Sequence, residues 1–336
     1  MLFLALETSC DETAAAVFTD ELAVVSSVVA SQTELHARFG GVVPEIASRA
    51  HLRNLLPVID EAIGRAGIAL ADIGCIAVHH TPGLVGALLI GVSAAKMLSL
   101  ALGVPLIGVN HVASHIFACR LAAEGDIYPC IGLVVSGGHT ALFHCDTALS
   151  LQLLGGTRDD AAGEAFDKVA AILGLGFPGG PAVEREAALG NPRAHAFPRS
   201  FRDDARLEFS FSGLKTAVLY SCHGQDVSKA VPPPAGPKRA DLAASFQAAV
   251  IDVLTVKCKQ ALRQTGLKRL AVGGGVTANK ALRAALQEMC EKECAELFIP
   301  PMNLCTDNAA MAALAVEKWK RGEFAGPELD AEPNFL

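Results

Sequence analysis

The sequence predicts an α/β fold made of two related halves, and three observations lead to that prediction. Hydrophobic residues make up 51% of the 336-residue chain but aromatic residues only 5%. The core must therefore be aliphatic, as buried parallel strands are. A strand–turn–strand pattern at the N-terminus returns 127 residues later, where Ser136 and Thr140 correspond to Ser9 and Thr13. A glycine-rich turn between a strand and a helix follows at residues 273–275.

Composition and charge exclude several classes of protein. The chain carries 28 Lys and Arg against 35 Asp and Glu, a net charge of −7, so any RNA contact must use a local patch or a partner protein. Ten cysteines without a Cys-x-x-Cys pair are typical of reduced thiols in a cytoplasmic protein. The N-terminus lacks the basic region of a signal peptide. The apolar run over residues 82–109 is interrupted by Lys96, Gly103 and Pro105, which predicts a buried helix and strand rather than a membrane span.

The first half begins with a hairpin whose turn carries two adjacent acids, Asp11 and Glu12. A proline inside the first long helix, Pro57, predicts a kink or a break. His79 and His80 are expected in a solvated turn, and the alternative is a second metal site. The predicted strands cover residues 2–6, 14–18, 22–30, 73–78 and 106–109, and the predicted helices cover residues 46–66 and 85–102.

The second half starts with the repeated hairpin. Asp241 is the expected N-cap of a helix over residues 241–264. Residues 209–216 alternate like a strand before a helix, and residues 231–239, which include four Pro, predict an exposed loop. Further strands are expected at residues 131–135, 141–144, 270–273 and 296–299, and further helices at residues 159–168, 280–291 and 308–321.

We expect these elements to form two lobes with a central cleft. The N-terminal lobe covers residues 1–128 and the C-terminal lobe residues 129–307. The last helix, residues 308–321, is expected to pack back on the N-terminal lobe, and residues 322–336 to form a mobile tail. A Rossmann domain and a P-loop are excluded by their missing glycine motifs. The duplicated hairpin with a later glycine turn instead resembles the actin-like ATPase (ASKHA) superfamily, which binds phosphates at two hairpin tips.

A histidine pair and a distant aspartate form a candidate metal site. His111 and His115 lie four residues apart, so on a helix they share one face, with Cβ atoms about 5–6 Å apart. Two imidazoles and one carboxylate with open positions are typical of non-haem iron, and Asp307 is the candidate carboxylate. The alternative is two unrelated histidines on a solvated helix face. The pair is not a zincin motif, because Val112 stands where that motif has its catalytic Glu.

Ordered motifs over nearly the whole chain resemble the family of universal tRNA threonylcarbamoyladenosine transferases, in its bacterial type. These motifs are residues 7–13, 41–45, 82–84, the His111/His115 pair and residues 135–140, 160–168, 178–181, 209–216, 274–279 and 306–308. The resemblance implies transfer of a threonylcarbamoyl group from threonylcarbamoyl-AMP to the exocyclic N6 amine of the adenosine 3′ of the anticodon. The tRNAs concerned read codons that begin with A.

The resemblance also assigns roles to matching residues. It implies one divalent metal per chain, iron(II) before zinc or magnesium, held by His111, His115 and Asp307. It implies that the phosphate and acyl part of the substrate bind at Val134, Val135, Ser136, Gly137 and Gly138. It implies that the ribose binds at Asp167, Gly180 and Glu184, and the adenine side at Asn279. Adenine nucleotide is an alternative occupant of the same cleft. The implied partners are tRNA, a small paralogous subunit and a small ATPase. The resemblance implies no membrane partner.

A general base is expected because an exocyclic adenine amine is a poor nucleophile. Asp11 or Glu12 is the candidate, and the alternative for each is a turn carboxylate without a role. Ala113 and Ser114 depart from the Glu-Gly that the family usually has between its histidine ligands, so weaker metal binding or a substitute orienting partner is expected. The rival functions are an actin-like ATPase or small-molecule kinase, and a non-catalytic binding subunit.

Overall fold

The structure, a computed structural model, describes residues 1–224 and 232–334. It divides into two compact units. The first contains Met1–Glu124, Ala148–Ser150 and the segment from Pro300 onward, and the second contains Gly125–Thr147 and Leu151–Ile299. Asp307, which the sequence-based boundaries assigned to the C-terminal lobe, therefore lies in the first unit.

In the described residues, the first unit is built on a five-stranded sheet in the order β3-β2-β1-β4-β5. Its strands are β1 (Leu2–Glu7), β2 (Glu12–Thr19), β3 (Val24–Ser31), β4 (Ile73–Thr81) and β5 (Leu106–Asn110). Strands β1, β2 and β3 pair antiparallel, whereas β4 and β5 run parallel to β1. The carboxyl ends of β1, β4 and β5 consequently meet at one sheet edge, the usual place for a ligand site in an α/β sheet.

The helices of the first unit up to residue 124 are α1 (Thr33–Ala37), α2 (Pro44–Ala66), α3 (Val85–Leu102) and α4 (His111–Leu121). The break predicted at Pro57 does not occur, and α2 continues through this residue. Its inner face, which includes Leu55, Val58 and Ile59, is buried against β2 and β3. Burial of this face offsets the backbone hydrogen bond that proline removes.

Helix α3 is the helix among the described residues whose length and composition would suit a membrane span. Its inner face is nevertheless part of the core: Ala87, Leu88, Val92 and Ala95 are buried. It packs against β4 and α2, the arrangement of a helix that covers a sheet in an α/β layer.

The second unit repeats the sheet of the first. Its strand order is β10-β9-β6-β7-β8. Read in the opposite direction, this is the order of the first sheet, with β6 to β10 in the places of β1 to β5. The strands are β6 (Cys130–Val135), β7 (Thr140–Thr147), β8 (Ser150–Gly156), β9 (Arg269–Gly273) and β10 (Glu296–Phe298). The helices are α5 (Ala162–Ile172), α6 (Gly179–Ala187), α7 (Ser212–His223), α8 (Gly236–Thr265) and α9 (Lys280–Glu293). The predicted duplication is therefore confirmed.

Two local predictions in this unit are wrong. Helix α8 begins at Gly236 with a proline in its first turn, so Asp241 lies inside the helix and is not its N-cap. Its Oδ1 instead accepts the backbone N–H of Asn191 at 2.7 Å. Residues 209–216 do turn from extended chain into a helix, as predicted: Phe209 makes one isolated bridge, and α7 starts at Ser212. The second wrong prediction is the loop at residues 231–239, because residues 236–239 already belong to α8, and Val231 lies outside the described residues.

The C-terminal segment returns to the first unit. A 3₁₀-helix (Ala309–Leu314) and a short α10 (Ala315–Lys320) replace the single predicted helix. The tail predicted to be mobile is bound over residues 322–334: Ala325 donates to the Leu106 carbonyl at 2.8 Å, and Glu332 to the His80 carbonyl at 2.9 Å. Residues 335–336 lie outside the described part of the chain.

Candidate active site

Helix α4 begins where β5 ends, and this junction sets the histidine pair. Asn110, the last residue of β5, caps α4 because its Oδ1 accepts the backbone N–H of Ala113 at 3.0 Å. His111 and His115 follow on one helix face, with ring centroids 4.6 Å apart and ring planes at 79°. Both side chains are buried. The alternative of two histidines on a solvated face is therefore wrong.

Asp307 reaches the histidine pair from the C-terminal segment. Its Oδ1 lies 3.2 Å from Nε2 of His115 and 3.6 Å from Nε2 of His111. The neighbouring Asn308 fixes the loop, since its Nδ2 donates to the Thr306 carbonyl at 2.7 Å. The structure thus brings together the three predicted donors, each with one ligand atom within 4.8 Å of the others.

The electrostatics of this group suit a cation. Burial lowers the pKa of His115. Burial also works against a charged His111, but Asp307 and Glu7 raise its pKa to about 9. Nε2 of His115 is buried and faces Asp307 without hydrogen-bond geometry, so nitrogen and carboxylate are placed to share an ion. Because two imidazoles and one carboxylate are donors that iron(II) and zinc accept, the residues fit a divalent metal.

A second buried group lies beside His111, and sequence reasoning missed it. Glu7 is fully buried, and its Oε2 lies 2.7 Å from Nδ1 of His79 and 3.0 Å from Nδ1 of His111. Burial would raise the pKa of Glu7, but the two imidazoles hold it well below its usual range. The prediction of a solvated turn at His79 is wrong, because this side chain is fully buried in β4. No local signal in the sequence showed this contact, because it depends on strand register: Leu6 pairs with Val78, and this puts Glu7 beside His79.

The candidate bases, Asp11 and Glu12, lie at the β1–β2 tip of the same unit. Burial, and then the charge of Asp307, raises the pKa of Asp11. Burial raises the pKa of Glu12 to about 8. Oε1 of Glu12 accepts the Ser31 hydroxyl at 2.8 Å, whereas its buried Oε2 has no hydrogen-bond partner among the described residues. A carboxyl group in this setting holds a proton near neutral pH and can accept one from a substrate when ionised.

A buried histidine supports this tip, and no local pattern in the sequence pointed to it. Nε2 of His51 donates to the Cys10 carbonyl at 3.0 Å, and its Nδ1 accepts the Thr13 hydroxyl at 2.8 Å. This pattern requires the neutral ring, and burial lowers the pKa of His51 accordingly. The backbone N–H of Gln32 donates to the Asp11 carbonyl at 3.1 Å. These contacts fix the direction of the tip on both sides of the two acids.

In the second unit, the repeated hairpin tip contacts the start of α5 and the later glycine turn. The Ser136 carbonyl accepts the Gly163 N–H at 3.2 Å. A Cβ on Gly163 would lie 2.6 Å from this carbonyl oxygen, and a Cβ on Gly274 would lie 2.5 Å from the Val135 oxygen, so both contacts need glycine. The other predicted phosphate- and acyl-binding residues differ in exposure. Val134 and Val135 are buried in β6, whereas Gly137 and Gly138 are exposed at the tip.

The predicted ribose and adenine residues of the second unit lie in two pairs. Asp167 accepts at 2.7 Å the backbone N–H of the residue that precedes Gly180. Glu184 accepts the backbone N–H of Lys280 at 2.7 Å, and Lys280 directly follows Asn279, the N-cap of α9. The structure therefore places Asp167 against the residue before Gly180 and Glu184 against the residue after Asn279. In each pair the carboxylate holds the start of a helix.

Two sheets with one strand order, together with a buried group of two imidazoles and a carboxylate, define the class. The chain is an α/β protein of the duplicated actin-like ATPase fold with a candidate metal centre. A solved structure of full-length HypF, in a phosphate- and nucleotide-bound form, has the same fold, with a TM-score of 0.62 at 14% identity over 96% of this chain and 56% of that one.

The family is defined by sequence. A family model described as TsaD: tRNA N6-adenosine threonylcarbamoyltransferase matches residues 23–314. Proteins of that name from Rhodopirellula baltica and Moorella thermoacetica are each 50% identical to this chain and align with 99% of it, covering 97% and 96% of their own lengths. The chain belongs to the tRNA N6-adenosine threonylcarbamoyltransferase family, and so to the acyltransferases.

Proposed function

We propose that this chain transfers the threonylcarbamoyl group from threonylcarbamoyl-AMP to the exocyclic N6 amine of the adenosine 3′ of the anticodon, in tRNAs that read codons beginning with A. The observation that supports this most is the convergence of His111, His115 and Asp307 in a chain that aligns with transferases over 99% of its length. The enzyme carries out tRNA modification in the cytoplasm, where its tRNA substrate is found.

His111, His115 and Asp307 would hold one divalent metal, iron(II) in our proposal, with zinc or magnesium as alternatives. When bound, such an ion supplies Lewis-acid chemistry that polarises a carbonyl or phosphoryl oxygen. The chain's own residues hold the three metal-binding side chains in position. Asn110 caps the helix that carries both imidazoles, and Asn308 fixes the loop of the carboxylate. The donor positions are therefore set by the fold before the metal binds.

We assign the general base to Glu12 and retain Asp11 as the alternative. The amine that attacks must lose a proton, and a base works best when its pKa lies near the working pH. With its pKa raised to about 8, the Glu12 carboxylate is a much stronger proton acceptor than an exposed glutamate. The unpaired Oε2 is the oxygen that would accept the proton.

The second unit would bind the acyl-adenylate. The exposed backbone of Gly137 and Gly138 can donate N–H groups to the phosphate that leaves, and one such donor contributes about 2.7–4 kcal/mol to transition-state stabilisation where measured. Val134, Val135 and Ser136 would line the acyl and phosphate position. Asp167, Gly180 and Glu184 would contact the ribose and Asn279 the adenine side, and an adenine nucleotide would use the same residues.

The proposed partners are tRNA, a small paralogous subunit and a small ATPase. Apolar side chains on the neighbouring helices α2 and α3 support a protein partner: Leu52, Leu56, Met97 and Leu100 are 68%, 70%, 64% and 78% exposed. Exposed apolar groups of this size are typical of protein interfaces. We propose that the small paralogous subunit covers them.

The proposed function is tested by reconstitution. The purified chain is incubated with the two partner proteins, threonylcarbamoyl-AMP and unmodified tRNA, and mass spectrometry of digested tRNA measures the modified nucleoside. Wild type should form product, whereas His111→Ala and Glu12→Gln should form little or none. His144→Ala, a histidine outside the donor set, is the matched control and should remain active. Full activity of both His111→Ala and Glu12→Gln, or ATP turnover with a small acceptor and no RNA, would overturn the proposal.

A further inference from the structure

We infer that His79 is a positioning residue for the metal centre: through the Glu7 carboxylate it orients the His111 imidazole so that Nε2 faces Asp307. This inference rests on the metal centre proposed above. His79 is not one of the metal donors in that centre, and its nearest polar contact is Glu7.

The three side chains are in contact, with one Glu7 oxygen between the two imidazoles. Nδ1 of His79 lies 2.7 Å from Glu7 Oε2, and the same oxygen lies 3.0 Å from Nδ1 of His111. A carboxylate oxygen can only accept, so His111 donates to it through Nδ1. His79 Nδ1 lies against the same oxygen, at a contact distance but without hydrogen-bond geometry. When a bound metal displaces the proton from Nε2, the His111 ring is neutral, its remaining proton is on Nδ1 beside Glu7, and the lone pair is on Nε2, which lies 3.6 Å from Asp307 Oδ1. This tautomer is the one a metal requires on that side of the ring.

The Glu7 carboxylate is held from both ends. Its Oε1 accepts the backbone N–H of Ser9 in a short hydrogen bond, and its Oε2 lies between the two imidazoles. The rings of His79 and His111 are 5.6 Å apart and meet edge to face at 77°. Without the His79 imidazole, Oε2 would lose one of its two imidazole contacts, and the carboxylate would be freer to turn away from His111.

The burial of His79 indicates a role beyond packing. Its side chain is fully buried, yet neither ring nitrogen has a hydrogen-bond partner among the described residues, and the 2.7 Å contact between Nδ1 and Glu7 Oε2 is an ion contact. A buried ring nitrogen without a partner costs free energy that an aliphatic side chain would avoid. The neighbouring core positions of β4 are aliphatic, with Ile76 and Val78 also fully buried. The contact with Glu7 is therefore what the imidazole contributes.

Helix α4 supplies no carboxylate between its two histidines. Val112, Ala113 and Ser114 stand there, and the Ser114 hydroxyl donates to the Asn110 carbonyl at 2.9 Å rather than to a ring. Glu7 thus provides from β1 the orienting carboxylate expected to be missing with Ala113. A carboxylate hydrogen-bonded to a metal-binding histidine fixes its tautomer and raises its basicity, and loss of such a contact typically weakens metal binding about 10–100-fold.

The test is a Co²⁺ titration of the metal-free full-length chain, followed by visible absorption and by competition with a chelator. Wild type should bind one Co²⁺ per chain. His79→Leu, which keeps the core filled, should weaken binding at least about 10-fold. His79→Asn should bind within a few-fold of wild type, because its side-chain amide offers a donor close to the position of the ring Nδ1. His80→Ala is the matched control and should not change binding, since His80 Nδ1 lies 3.3 Å from the Asp330 carbonyl.

Fluorescence of Trp319, the chain's one tryptophan, reports whether each variant folds. If His79→Leu does not fold, His79→Ala is used in its place. If a folded His79→Leu or His79→Ala variant binds Co²⁺ as tightly as wild type, the inference is overturned while the metal centre remains intact. Two Co²⁺ per wild-type chain, with one lost in His79→Leu, would overturn it by making His79 a ligand. Absence of Co²⁺ binding by wild type would refute the metal centre itself.

Discussion

Replacing Glu12 with glutamine should stabilise the metal-free first unit, and the gain should grow with pH. The folded chain keeps a proton on Glu12 up to a pKa of about 8, whereas the ordinary value of 4.5 describes the unfolded chain. The contribution of this carboxyl to stability is therefore fully present below pH 4.5 and is lost as pH rises through about 8. A glutamine side chain does not titrate, so the difference between wild type and the Glu12→Gln variant isolates this loss.

The magnitude follows from the pKa shift. The pKa of Glu12 rises from 4.5 to about 8, a difference of about 3.5, which corresponds to about 5 kcal/mol well above pH 8. At pH 7 the same linkage gives about 3 kcal/mol. Because part of the side chain reaches solvent, we expect about half of these values. A bound cation at Asp307 would offset the charge that helps raise the Glu12 pKa, so added metal should reduce the gain.

Urea denaturation at pH 5, 6, 7 and 8, in the presence of a chelator, measures the effect. Trp319 is a suitable reporter because it lies in the first unit and packs edge-on against Phe3, with centroids 6.1 Å apart. Glu34→Gln, on an exposed carboxylate of α1, is the matched control and should give no pH-dependent gain. A Glu12→Gln gain that is equal at pH 5 and pH 8 would refute the reasoning.

Three further results are expected. Asp307→Ala should lower bound Co²⁺ from one per chain towards zero and abolish transfer, and stoichiometric metal in this variant would contradict the donor set. Because Glu12 must be ionised to accept a proton, kcat/KM should rise with pH up to about 8; a flat wild-type profile from pH 6 to 8 would argue against this base. Gly274→Ala should destabilise the second unit by about 1–3 kcal/mol, since φ is +99° and the new Cβ would lie 2.5 Å from the Val135 oxygen. The control Gly213→Ala, with open space around its Cβ, should melt at or above the wild-type temperature.

Much of the fold could be predicted from local patterns. The two hairpins share small polar residues at their turns, Ser9 and Thr13 in one and Ser136 and Thr140 in the other, and the two sheets have one strand order. Helix ends were harder to predict, because a proline in the first turn of α8 and tertiary burial around Pro57 outweighed the local signals.

The candidate site was predictable in part. Two histidines four residues apart are visible locally, but no spacing rule leads from them to Asp307, which was named as a candidate carboxylate and then supported by the family resemblance. His79 was missed because a His-His-Thr run looks polar and exposed. Its burial depends on β4 lying parallel to β1, with Leu6 opposite Val78. A pairing between strands so far apart in the chain is set by tertiary structure.

The first unit is made from both ends of the chain, and this has a consequence for synthesis on the ribosome. The sheet and the histidine pair are translated by Glu124, but Asp307 emerges 183 residues later. At about 5–20 residues per second this takes about 10–40 s. Throughout that interval the nascent chain has the imidazoles without their carboxylate. A chain that stops at Ile299 should therefore bind Co²⁺ more weakly than the finished protein, and metal capture should be among the last steps of maturation.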